Sequence, residues 1–297
     1  MSFIEDYYRA QTKIPQRLNH NVLFGSVDLL TQPEFLVENN IRYFIGENIP
    51  TQELATIANG PNSPFNTVPD ALMLNFDKDF NPRNHDQIDQ TTSLFVQHNT
   101  SSLQNIISSV VEGNTRISQN GPMTPNPDRV KISDLLYGDI SHYYPSSTFN
   151  DMYKDKFITF NDLLTIIKQF DYNGNVLIFG RSNTDEHLYA LLVSSVLKSN
   201  PQYKAYDALQ FVKSLRNTDE VMHDERIYWY SGLVDYYKIV RSREINWGLN
   251  FAMNKQAYNA TPSSMKKRSG LPSPTTSFAS ITHVSDNSEI RSKRSRG

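Results

Sequence analysis

Asp185, Glu186 and His187 stand consecutively in the stretch NVLIFGRSNTDEHLYALLVSSVL, residues 175–197. Two carboxyl groups beside an imidazole are the side chains of acid–base chemistry and of metal ligation. Their setting is a short buried strand, Val176–Phe179, a loop, Gly180–His187, and an apolar helix, Leu188–Leu197. A loop between such a strand and helix gathers amide N–H groups and the positive helix end at one point, which suits an anion. This loop instead carries acids where an anion would need a cation. As a metal site it is poor, because consecutive residues do not share a helix face. His142 and His223 stand apart, and no second ligand motif accompanies them. The expectation is no metal and no cofactor.

The segment resembles the signature loop of the dual-specificity (tyrosine-type) protein phosphatases: strand, His-Cys, five residues, Arg, Ser or Thr, then a helix. Laid on without a gap, the His falls on Phe179, the nucleophilic Cys on Gly180, the phosphate-clamping Arg on Glu186 and the following residue on His187. Gly180 has no thiolate to attack phosphorus. Glu186 replaces a bidentate cationic fork with an anion. Asn183 stands where a glycine would let the loop curl. Arg181 offers some positive charge, but Asp185 and Glu186 meet the helix end first. The resemblance therefore implies the phosphatase fold without the phosphatase reaction: not an enzyme, and little or no phosphate affinity. It also implies a loop bearing a general acid, with Asp139 as best match and Asp134 and Asp151 as competitors.

The flanks carry the same resemblance. Asn21–Ser26 (NVLFGS) reads as a strand, Leu29–Asn40 as a helix with Pro33 near its start, and Ile41–Ile45 as a second strand, an order similar to the opening of that family. Phe157–Phe170 (FITFNDLLTIIKQF) has the periodicity of an amphipathic helix, and the turn Asp171–Asn175 delivers the chain into the central strand. After the loop, AYDALQFVKSLR within Pro201–Arg216 and the helix Asp224–Arg241, with Tyr230, Leu233 and Tyr237 on one face, are similar to the family's closing helices. The resemblance covers residues 20–242 and implies an α/β fold, a central mostly parallel twisted sheet flanked by helices.

Between these landmarks, Asn48–Pro69 is turn-rich, with one helical segment at Thr51–Ala58, and Ala71–Phe76 reads as a strand. Residues 77–128 exceed what the resemblance needs and read as an insertion: polar turns to Gln90, a helix within Leu94–Val111, and a surface loop over Glu112–Asp128. Arg129–Ile132 reads as a strand. Three parts result: an N-terminal arm, 1–20; a phosphatase-like domain, 21–258; and a tail, 259–297.

The chain has 297 residues, no cysteine and a formal net charge of −2. Disulfides, thiolate zinc sites and cysteine nucleophiles are thereby excluded. From Thr261 onward we count seven basic residues against two acidic ones, so a mildly acidic body carries a basic tail rich in Ser, Thr and Pro. Such a tail lacks the apolar surface to order itself. Ser273 precedes Pro274 as a proline-directed phosphorylation candidate. No apolar run reaches the ~20 residues that span a bilayer, and the N-terminus lacks a secretory h-region. The expectation is a soluble cytoplasmic or nuclear regulator or scaffold in phosphorylation signalling. It would bind a protein partner such as a kinase, an active phosphatase or a ubiquitin ligase subunit. Two alternatives are an enzyme with non-cysteine chemistry at Asp185–Glu186–His187 and a nucleic-acid-associated protein acting through the tail; an acidic body makes the latter unlikely.

Overall fold

A computed structural model describes residues 15–68, 70–81, 88–119, 135–136, 146–182, 185–215, 230 and 232–243. Close contacts divide the chain into Met1–Phe251 and Ala252–Gly297. The second unit, with Ser273 and the expected tail, lies outside the described residues, as do Asp134, Asp139, Asn183 and the strand expected at 129–132.

Six strands form one sheet in the order β1-β2-β6-β3-β4-β5. They are β1 Gln16–Arg17, β2 Val22–Ser26, β3 Ile41–Glu47, β4 Leu72–Phe76, β5 Thr148–Phe149 and β6 Asn175–Gly180. All neighbours run parallel except β1, which pairs antiparallel with β2. Parallel strands need crossovers that cover both faces, and their sequences are apolar throughout rather than alternating. β2, β4 and almost all of β6 are buried accordingly. Along β6 the period of two sends Val176 and Ile178 into one core and Leu177 and Phe179 into the other. The second core is closed by Leu29, Leu30, Leu36, Leu54 and Phe95.

The helices are α1 Pro33–Glu38, α2 Thr51–Ala58, α3 Pro64–Thr67, α4 Gln90–Gln119, α5 Tyr153–Phe170, α6 Glu186–Ser199, α7 Ala205–Ser214 and α8, 233–243. The expected helix Leu29–Asn40 is two pieces, a 3-10 turn Val27–Thr31 and then α1. Pro33 sits at the first position of α1, where its missing N–H costs nothing and its ring bars continuation from the turn before. The helix expected over Pro201–Arg216 starts only at Ala205.

A further correction concerns the surface loop expected over Glu112–Asp128. The helix expected before it is α4, thirty residues long, and it runs eight residues into that loop. Leu103, Ile106, Ile107 and Val110 are buried in the first core, and α4 packs on α2 and α5. The prolines that suggested a loop begin at Pro122, past the helix end, so nothing before them breaks it. α4 is built into the domain. Within the expected arm, Gln16–Arg17 form β1, paired with β2 at the sheet edge, and residues 1–14 lie outside the described residues.

Candidate functional site

Five parallel strands end side by side at one edge, the place where open α/β sheets hold ligands. There β6 ends at Gly180, which pairs with Ser26 of β2, while Gly46 of β3 pairs with the preceding Phe179. The segment expected to be strand, loop and helix is all three, with α6 beginning at Glu186.

Asp185 caps α6, its carboxylate accepting the His187 backbone N–H at 2.9 Å. The same carboxylate lies over Gly180: a Cβ placed on that glycine would come within 3.1 Å of Asp185 Oδ2. The positive helix end thus meets an anion belonging to the chain itself. Glu186 occupies the first turn of α6, where a carboxylate is also favoured. Arg181 turns away to the surface and pairs with Glu53 of α2 at 2.8 Å. Phe179 is fully buried in the second core. Phe179, Gly180, Arg181, Asp185, Glu186 and His187 therefore lie on one strand–loop–helix unit, but their side chains do not converge on a common point.

His187 leads to a cluster that the sequence reading missed. Its Nδ1 is 2.5 Å from the Tyr230 hydroxyl and 3.9 Å from Glu47 Oε1. Glu47, the last residue of β3, has no solvent exposure and pairs with Lys156 in the first turn of α5. Lys156 in turn lies 5.8 Å from the centre of the Tyr230 ring. Burial pushes the Glu47 carboxyl up to about 7, with Lys156 pulling the other way. Burial and the Lys156 charge hold His187 below the usual imidazole value, against the pull of Asp185. Glu47 Oε2 has no hydrogen-bond partner among the described residues.

A cavity of about 240 Å³ opens on this cluster, lined by Glu47, Lys78, Asp151, Tyr153, Lys156 and His187, with Phe76 and Tyr230 among its walls. Of the three candidate acids, Asp151 is the one in the described residues; it reaches the cavity, and its Oδ2 accepts the Thr159 hydroxyl at 2.6 Å. No group of three or more His, Asp or Glu placed to hold a metal occurs among the described residues. A carboxylate ending the buried strand IRYFIGE was the available signal for Glu47. Lys156 lies in the first turn of α5 and left none, and Tyr230, expected on a helical face, lies outside any helix, ahead of α8.

The fold and site define a mostly parallel α/β domain whose strand–loop–helix anion position is filled from within, beside a buried carboxylate–lysine–histidine–tyrosine cluster. The model of the YAL037W N-terminal domain matches residues 13–183, and the chain belongs to that family. It is 37% identical over 264 residues to the uncharacterized Saccharomyces cerevisiae protein YOR342C, covering 80% of each chain. It is 25% identical over 216 residues to YAL037W of the same yeast, also uncharacterized, covering 71% of this chain and 74% of the other. No solved structure matches it. The family match spans all six strands and ends in the loop after β6.

Proposed function

We propose that this protein is a catalytically inert, phosphatase-like binding protein, a regulator or scaffold in phosphorylation signalling of the cytoplasm, the nucleus or both. The observation that carries the reading is the Asp185 carboxylate lying over Gly180 and capping α6. At this place the resembled phosphatases need a thiolate and an open anion cradle. Here there is no nucleophile, and an incoming phosphate dianion would meet a carboxylate that already holds the helix-end amide. The cation of Arg181 is committed to Glu53. Such a loop keeps its shape and loses its reaction. Function then falls to the surface, toward a protein partner such as a kinase, an active phosphatase or a ubiquitin ligase subunit.

The test is phosphoester turnover by the full chain, with p-nitrophenyl phosphate and a phosphotyrosine peptide, together with titration of orthophosphate. The reading expects hydrolysis at background and no saturable phosphate binding. Restoring the thiol alone, Gly180→Cys, is expected to leave turnover at background because Glu186 and Asp185 still oppose the phosphate. Turnover by the wild-type chain would end this reading.

A second reading is non-cysteine chemistry through His187. In its favour, the imidazole contacts the Tyr230 hydroxyl, lies near Glu47 and is held below its usual pKa by burial and the Lys156 charge. Any turnover abolished by His187→Ala would support it.

A further inference from the structure

A second cavity lies at the edge of the sheet opposite Gly180, where β2 and β6 begin side by side with Val22 paired to Val176. Faces of α5 and α6 complete its walls. Its volume, about 460 Å³, falls within the range of about 300–1,000 Å³ typical of small-molecule sites. Val22, Leu164, Ile167 and Val176 give it an aliphatic lining. Lys168, Lys198 and His20 also line it, and among the described residues no carboxylate does. That balance disfavours a cation and leaves an apolar body bearing an anion as the matching occupant.

Two side chains there are left open by the fold itself. Lys198 is committed: its ammonium donates to the Asn161 carbonyl at 2.8 Å and the Thr165 hydroxyl at 2.6 Å, and the Asp162 carboxylate lies 3.6 Å away. Lys168, exposed in the last turn of α5, offsets the negative end of that helix, but its ammonium has no ion pair or hydrogen bond among the described residues. With Lys198 answered by Asp162, Lys168 leaves one full positive charge, which a carboxylate balances and a phosphate monoester dianion would exceed. The second open group is Ser195 of α6, which is only 6% exposed. A helical serine ordinarily bonds a carbonyl of the preceding turn. Its neighbour Ser194 does so, donating to the Leu191 carbonyl at 2.7 Å and accepting from Asn161 at 2.9 Å. The Ser195 hydroxyl has no partner among the described residues, yet it is not sealed from solvent as the Tyr189 hydroxyl is. A nearly buried hydroxyl without a partner is costly unless something in the cavity bonds it.

We propose that this cavity binds a small aliphatic monocarboxylate, its acid group taken by the Lys168 ammonium and the Ser195 hydroxyl and its chain lying on Val22, Leu164, Ile167 and Val176. The site stands at the far edge of the sheet from the loop after β6, and it does not depend on the phosphatase-like reading.

The full chain is titrated with hexanoate, hexanamide, hexylamine, hexyl phosphate and acetate, and the backbone amide NMR signals of Lys168 and Ser195 are followed. Hexanoate is expected to shift both saturably at millimolar concentration, about fivefold more tightly than hexanamide, the worth of one partly exposed charged contact. Acetate, which lacks the chain, should bind at least about tenfold more weakly than hexanoate. Lys168→Met removes an exposed, unpaired charge and so keeps the fold; it should bring hexanoate down to the affinity of hexanamide and leave hexanamide unchanged. Ser195→Ala removes a hydroxyl that bonds nothing in the chain and should weaken hexanoate by about fivefold. A lysine that merely offsets the end of α5 would alter the melting temperature and leave the preference for hexanoate intact, which would overturn the proposal. So would hexanamide or hexylamine binding as tightly as hexanoate, acetate binding as tightly, or shifts confined to the loop after β6. Tighter binding of hexyl phosphate would overturn the carboxylate, and the absence of any saturable shift would overturn the site.

Discussion

Glu47 and Lys156 form an ion pair almost entirely removed from water. A buried pair contributes little net stability as a pair, yet breaking it leaves one charge stranded. Lys156→Met is therefore expected to cost about 3–5 kcal/mol, whereas Glu47→Leu with Lys156→Met should cost markedly less than that single change. Urea unfolding of the two variants and wild type checks both. The groups facing Glu47 also set a pH signature. Lys156 and His187 approach its Oε1, Asp185 adds negative charge, and Tyr230 lies beyond His187. In the unfolded chain the Glu47 carboxyl titrates near 4.5, and in the folded protein near 7. Between these values the folded state holds the proton more firmly, so this group's contribution is greatest below about pH 4.5 and falls as pH rises to about 7. His187 runs the other way. Held below 6.5, its contribution is present above that pH and is lost as the pH falls. Glu47→Gln removes the first slope and leaves the second. Its urea midpoint should climb more steeply from pH 5 to pH 7 than that of wild type, and parallel profiles would refute the raised carboxyl.

At the level of elements, the loop after β6 is anchored by one cap. Asp185→Ala removes the side chain that accepts the His187 N–H and is expected to cost about 1 kcal/mol, read by thermal unfolding. Gly232→Ala is expected to be harsher, about 3 kcal/mol, because it combines a positive φ with a clash against the Tyr153–Lys154 backbone. These contrasts bear on what the sequence could convey. The strands at 22–26, 41–47, 72–76 and 175–180 were legible because buried parallel strands write apolar runs between turn residues. So was α2, found at the expected Thr51–Ala58. The last eight residues of α4, 112–119, were not, since EGNTRISQ holds a glycine and a single large apolar residue and so writes no helical period. β5 was missed because two residues carry no period. The candidate site was half legible. The loop lies on one continuous segment, but the Glu47–Lys156–His187–Tyr230 cluster is assembled by tertiary packing from residues up to 183 positions apart.

Across the whole molecule, α8 is the last described element, and it belongs to the first of the two cores that flank the sheet. Leu233, Tyr236 and Val240 of α8 are buried in the first core. The Arg243 guanidinium donates to the Leu135 and Leu136 carbonyls at 2.9 and 2.5 Å. Phe157 of α5 packs its ring against Tyr236, centroids 5.8 Å apart. Contacts divide the chain after Phe251, and a paired truncation tests that division against this packing. Deleting 259–297, the basic Ser- and Pro-rich segment, removes none of these contacts and is expected to shift the melting temperature of the body by no more than about 2 °C, the range of neutral surface changes. Deleting from residue 232 onward strips three buried side chains at about 2–5 kcal/mol each, together with the Arg243 anchor. That sum rivals the total stability of an ordinary domain, so cooperative unfolding should be lost. Scanning calorimetry of the two truncations and the full chain decides it. A body that melts normally without α8, or that loses its transition when only 259–297 is removed, would mean that the domain ends elsewhere.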